Sequence, residues 1–163
     1  MIEFHVRGTP APGGSKTAVA VRRGNGSIVM KGNRPVLRYI DDGKGNKKWR
    51  EDVEHYARRA YTGAPLVGPL RLVVEFRMPR PAKHFVGGRK DGELRAAFVG
   101  IEHAQKPDTT KLLRSTEDAL SGIVWVDDAQ VVEQYATKRW ANHGELVGAR
   151  IRITKVERGT KAS

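Results

Sequence analysis

Apolar residues change their spacing along this chain, from every second residue to every third or fourth and back again. That change confines the fold to a mixture of strands and helices. Ile2, Phe4 and Val6 alternate with Glu3, His5 and Arg7, the period of a half-buried strand. Trp49, Val53, Ala57 and Ala60 lie along one stripe of a helix expected from about Lys47 to Tyr61, and Gly63 stands just beyond it. Leu70–Met78 reads as a strand. A second helix is expected from Thr109 to Ser121, with Asp108 as N-cap and Gly122 as the stop. Its buried stripe is Leu112, Leu113, Thr116, Ala119 and Leu120, while Lys111, Arg114 and Asp118 face the other way. Strands over Val131–Trp140 and Leu146–Val156 complete the pattern. The expected fold class is α+β, a small mixed or antiparallel sheet with two main helices. It forms a single domain over residues 1–157, with a polar tail at 158–163.

The connections are rich in Gly and Pro. Thr9-Pro-Ala-Pro-Gly-Gly-Ser15 breaks the first strand, and short strands are expected at Ala18–Arg22, Ser27–Met30 and Val36–Ile40. Gly13-Gly-Ser-Lys16 lacks the spacing of a phosphate loop and no helical pattern follows it, which argues against a nucleotide cofactor. Residues 79–92, with Arg80, Lys83, Arg89 and Lys90, have the composition of a mobile loop.

Composition decides the class of partner. Lys and Arg number 30 against 18 Asp and Glu, a net charge of +12, and such an excess points to a polyanion. Cysteine is absent, which removes disulfides, thiolate zinc sites and thiol nucleophiles. No segment has the apolar length of a membrane span or the apolar core of a secretory signal. A cytoplasmic location is therefore expected, in a bacterial cell or, for a phage-encoded chain, in the host cytoplasm.

In so basic a chain the carboxylates are the informative residues. Asp108, Glu117, Asp118, Asp127, Asp128 and Glu133 fall within one short window, a third of all the acids. Phosphate-binding cations beside a few carboxylates are the electrostatic plan of a metal-dependent nuclease, and a hard ion such as Mg²⁺ needs only carboxylate and water oxygens. The five histidines have no zinc-type spacing. On a straight helix Asp118 stands about 15 Å from Asp108, too far to share an ion. The segment from Gly122 can reach about 23 Å, enough for Asp127 and Asp128 to return beside Asp108. A cation from Lys111 or Arg114, two turns or fewer away, could balance charge on a phosphate. Each residue also has a plainer reading: Asp108 as a helix cap, Asp127-Asp128 as a turn, and Lys111, Arg114 and Asp118 as a solvated face.

The elements Lys106-Pro107-Asp108, Asp118-Ala119-Leu120-Ser121-Gly122 and Asp127-Asp128-Ala129-Gln130-Val131, with a later Lys138, resemble the RusA family of Holliday-junction resolvases in order and spacing. The opening strand with Gly8, Pro10 and Pro12 is similar to that family's start. The resemblance implies a RusA-like fold in a homodimeric endonuclease that binds four-way DNA junctions and nicks two strands symmetrically, using Mg²⁺, with Mn²⁺ as a substitute. It implies that Asp108, Asp127 and Asp128 are catalytic and metal-ligating residues, Asp128 the firmer match of the pair, and that Arg114 takes the place of a helix lysine tied to catalysis. One departure stands out. Thr110 occupies the position of a second ligating Asp, and Lys111 that of an Asn. Three outcomes follow: a weaker or missing metal, substitution by Glu117, or junction binding with poor cutting.

Phosphate contacts are expected from Lys111, from Arg80, Lys83, Arg89 and Lys90, and from Lys44, Lys47 and Lys48 before the first helix. Phe85 is either a wedge in an opened junction or an anchor for its own loop. The alternatives to a nuclease are a catalytically weak junction-binding protein of the same fold and an RNA-binding module. The latter is disfavoured because no aromatic pair is spaced for base stacking on a sheet.

Overall fold

A computed structural model describes residues 1–14, 16–41, 45–90 and 92–157. Eight strands and two helices follow one another as β1 (Ile2–Arg7), β2 (Lys16–Ala20), β3 (Met30–Lys31), β4 (Arg34–Pro35), β5 (Leu37–Asp41), α1 (Asn46–Ala60), β6 (Leu70–Met78), α2 (Thr109–Leu120), β7 (Val131–Trp140) and β8 (Gly148–Lys155). The main sheet has the order β1-β8-β6-β7. It is mixed: β6 and β7 run parallel, while β8 is antiparallel to both β1 and β6. Among the described residues no helix is long and apolar enough to cross a membrane.

Alternation along the strands sends one set of side chains into the core. Phe4 and Val6 of β1, Leu70, Leu72, Val74 and Phe76 of β6, and Ile151 and Ile153 of β8 all sit beneath the helices. Trp49, Val53 and Ala57 of α1 and Leu112, Leu113, Ala119 and Leu120 of α2 cover them. Each fully buried side chain of this size contributes about 1.5–3 kcal/mol. The expected stripe of α1 is correct except for Ala60, which is exposed at the last position. Trp49 donates its indole N–H to Thr116 Oγ1 at 3.2 Å, joining the two helices inside the core.

β6, β7 and α2 match expectation closely. β8 begins two residues late, because 142–147 forms a turn in which Glu145 N donates to the Asn142 carbonyl and Asn142 N to Glu145 Oε2. At Gly148 the chain passes so close to β1 that a Cβ would lie 1.8 Å from the Val6 carbonyl, which only glycine permits. Residues 16–41 form a separate ribbon, with β2 paired to β5 and β3 to β4, and none of its residues joins the core.

The other face of the sheet carries charge. Arg139 donates to both carboxylate oxygens of Glu145, at 2.6 and 2.7 Å, and to Glu75 at 2.8 Å. Arg150 pairs with Glu3, and Arg71 with Glu133. The expected mobile loop at 79–92 is instead tied down over its described residues. His84 and Phe85 are buried, Val86 N donates to the Glu93 carbonyl, and Arg95 N donates to the His84 carbonyl. Phe85 is thus the anchor of its own loop rather than an exposed wedge.

Candidate active site

Helix α2 begins at one wall of a cleft of about 1160 Å³. The cleft is lined by Thr9–Pro12, Gly45, Met78–Pro81, Lys83, Lys90, His103, Gln105–Asp108, Lys111 and Trp140. Five of these residues are Lys or Arg, and Asp108 is the one carboxylate among the described lining residues. Asp108 has extended backbone before the helix, as an N-cap does, yet its side chain makes no capping hydrogen bond. The carboxylate is exposed, with Lys111 Nζ 3.6 Å away. The cap reading therefore accounts for the backbone and leaves the carboxylate available for chemistry. Thr110, the next candidate ligand position, is exposed on the first turn.

Lys138 braces this corner. From β7 its ammonium donates to the carbonyls of Gln105, at 2.6 Å, and Pro107, at 2.7 Å, on either side of Lys106. The Lys106–Pro107 peptide is cis. Lys138 belongs to the motif by its spacing, and it reaches this corner because β7 runs back along α2.

Asp127 and Asp128 open the turn into β7. Asp127 accepts from Ala129 N at 2.8 Å, while Gln130 Oε1 accepts from the backbone N–H groups of Val126 and Asp127. The Gln130 amide then donates to the carbonyls of Leu66 and Gly68. Asp127 and Gln130 thus lock a rigid turn that presents Asp128 to solvent. Asp108, Asp127 and Asp128 do not gather as one metal-binding group among the described residues. Asp128 instead lies close enough to Glu117 to act on its charge, and among the described residues no three His, Asp or Glu gather as a metal site. The reason is topological. The chain turns tightly after α2, with Gly122 N donating to the Trp125 carbonyl, and β7 rather than the linker runs back towards Asp108.

Glu117 is half-buried, and its carboxyl is pushed up to about 7, first by burial and then by the negative charge of Asp128. Gln134 of β7 donates to it. Two acids near enough for one to act on the other's charge offer hard oxygen donors of the kind a divalent cation takes. They do not make a closed cage.

The remaining expected site residues separate into groups. Arg114 is exposed one helical turn beyond Lys111, its stem against Gly14. Lys83 and Lys90 line the cleft, and Arg89 is exposed beside them. Lys47 and Lys48 are engaged along α1 with Glu51 and Asp52 and do not line the cleft. Lys44 lies outside the described residues. Arg80 is not a solvent-facing contact: its buried guanidinium donates to the carbonyls of Ala141, at 2.9 Å, and Phe98, at 3.1 Å, and lies 5.9 Å from the Trp140 ring. Around it His84 stacks on Phe98, and His103 packs on Trp140, with ring centroids 4.1 Å apart in each case. Burial pushes both imidazoles down, so at neutral pH they add no charge to the cleft.

No curated protein matches the chain in a sequence search. A family model described as Endodeoxyribonuclease RusA matches residues 20–154, which takes in α1, α2, β6, β7 and all but the last residue of β8. The motif residues on α2 and at the start of β7, the basic cleft beside them and this match over most of the length agree, and the chain belongs to the RusA family of Holliday-junction-resolving endodeoxyribonucleases.

Proposed function

We propose that this endonuclease binds four-way DNA junctions in the basic cleft and resolves them, as a homodimer, by paired symmetric nicks with Mg²⁺ or Mn²⁺ as cofactor. The observation that carries the reading is Asp108, an exposed carboxylate free of capping duty in a cleft whose other charged lining residues are Lys and Arg. Lys83, Lys90, Lys106 and Lys111 would take the phosphates on either side of the scissile bond. Asp108 in the cleft, and Asp128 with Glu117 at the turn into β7, are the carboxylates that would hold the cation, with Asp127 fixing the turn behind Asp128. When bound, the cation supplies Lewis-acid stabilisation of charge on the phosphate. Arg114, about 9 Å along α2 from Asp108, would balance the same charge from the other side. Lys138 holds the carbonyls that precede Asp108, fixing where its carboxylate points.

The Lys111 contact favours a second reading, in which the protein holds junctions but cuts them slowly. Lys111 neutralises the carboxylate that should hold the ion, and Thr110 offers only a hydroxyl in place of a second acid. The test is nicking of an immobile four-way junction against linear duplex, with Mg²⁺, with Mn²⁺ and with chelator. Paired, chelator-sensitive nicks confined to the junction support a resolvase. Tight binding with no nicks under either metal supports the second reading.

A further inference from the structure

The ribbon of residues 16–41 has no part in the core, and its form and charge set it apart from the rest of the molecule. Beyond the β2–β5 stem the chain forks. Arg22 bridges to Ile28 around the Gly24-Asn25-Gly26 turn, and β3 pairs with β4 around Gly32-Asn33. The two branches are stitched at their base, where Val29 N donates to the Val21 carbonyl and Val36 N to the Val29 carbonyl. The first tip is stiffened by Asn25, which accepts from Ser27 N and Oγ, and by Arg22, which donates to the Gly26 carbonyl.

Residues 16–40 contain six Lys and Arg and no Asp or Glu. Arg22 and Arg23 flank one tip and Lys31 and Arg34 the other. All four are exposed, and none makes an ion pair among the described residues. Met30 on β3 and Tyr39 on the stem are exposed as well. A short isolated ribbon with outward apolar groups is marginal in water and gains by lying against a surface.

The root of the ribbon is fixed at the cleft. Gly13 N donates to the Lys111 carbonyl at 2.9 Å, and a Cβ at Gly13 would stand 3.1 Å from that of Ser115. After the ribbon, Asn46 accepts from Ser115 Oγ, so both ends are pinned on the α2 turns that follow Asp108.

We propose that the forked ribbon is a second DNA-binding element, which grips a duplex arm outside the cleft with its tips against the backbone phosphates. The proposal rests on the junction-binding reading above and adds the arm as a separate site. A two-stranded ribbon fits the major groove of B-DNA, about 12 Å wide. From Lys16 to Asn25 the chain can reach about 30 Å, close to one turn of duplex. A second copy of the chain is the poorer occupant, because it too carries +12.

The test is binding in chelator to two junctions, one with long arms and one with arms cut back to the branch. The ribbon variant is Arg22→Gln/Arg23→Gln/Lys31→Gln/Arg34→Gln. A control with equal charge loss on exposed residues elsewhere is Arg58→Gln/Arg59→Gln/Arg152→Gln/Lys155→Gln. The ribbon variant should lose about 100-fold on long arms, with a salt slope shallower by roughly 3.6, and change little on short arms. Equal losses on both junctions, or an equal loss in the control, overturn the proposal. So does a change in oligomeric size of the ribbon variant, which would make the ribbon a clasp between subunits. Wild-type binding that ignores the ribbon sinks this proposal alone, whereas wild-type protein that binds neither junction sinks the junction reading beneath it.

Discussion

Two surfaces of this molecule are built from basic side chains, arginines on one and lysines on the other, and use them in opposite ways. On the open face of the sheet, Arg71, Arg139 and Arg150 each meet a glutamate, and Arg77 shares Glu75 and Glu145 with Arg139. In the cleft, Lys83, Lys90 and Lys106 make no ion pair among the described residues, and Lys111 has Asp108 alone. Pairing turns the first surface into structure. Unpaired cations hold the second open for an anion. A basic sequence thus says that a polyanion is the partner, and the pairing says which surface meets it.

Neutralising each surface in turn sharpens that contrast. Lys83→Gln/Lys90→Gln should weaken junction binding by about 10- to 100-fold and reduce the salt slope by roughly two, since each lost phosphate contact removes about 0.9 from it. The same variant should melt as the wild type does, because both side chains reach into solvent. Fluorescence anisotropy across a salt series together with a melting curve reads both quantities.

Arg139→Gln should do the reverse. It leaves Glu75 without its hydrogen-bonded partner and breaks a two-pronged contact to Glu145, at a cost of about 1–2 kcal/mol or roughly 3–6 °C in Tm. DNA affinity should be unchanged. If the variant lost binding and kept its stability, the division between the two surfaces would be wrong.

Acid should act on the paired face in the same sense. The Arg139 hydrogen bond holds the Glu145 carboxyl down at about 2, well below its usual 4.5. Its stabilising effect is fully present above 4.5 and is lost as pH falls from there through 2. Glu145→Gln should flatten that part of the stability curve, as acid titration followed by circular dichroism would show.

Glu117 behaves with the opposite sign and a smaller effect. Its carboxyl is raised to about 7, so the stabilisation belongs to the protonated form, is full below 4.5 and is lost as pH rises through 7. In chelator, Glu117→Gln should therefore melt slightly above the wild type at pH 8 and level with it near pH 5. A lower Tm at pH 8 would mean that the ionised carboxylate is satisfied by a partner other than Gln134.

The sequence was most legible where one period ran long enough between clear stops. Leu70–Met78 and Val131–Trp140 occur as expected, and α2 ends one residue before the expected Ser121 because Gly122 adopts the left-handed conformation its Cβ-free backbone allows. The stem of the ribbon was legible, since the strands expected at Ala18–Arg22 and Val36–Ile40 overlap β2 and β5, but its β3–β4 branch was not, since strands as short as Met30–Lys31 have no buried face to impose alternation. Nor was the order in residues 79–92. Pro and Gly composition hides the contacts of Arg80 and His84 with Trp140 and Ala141, which are remote in sequence. Within the site, motif spacing singled out Asp108, Asp127 and Asp128 but did not foresee the approach of Asp128 to Glu117. The Glu117–Asp128 encounter depends on a turn held by Gln130 and on β7 crossing α2, neither of which spacing encodes.

The most direct test of the central claim, that the cleft cations bind and the carboxylates cut, is Asp128→Asn on an immobile four-way junction, with binding and nicking measured on one preparation. The expected result is nicking lower by more than about 100-fold in Mg²⁺ with junction affinity equal to or tighter than wild type, since one negative charge near the phosphates is gone. Nicking at the wild-type rate would contradict the assignment of Asp128, and loss of binding together with nicking would contradict the division between cations that bind and carboxylates that cut.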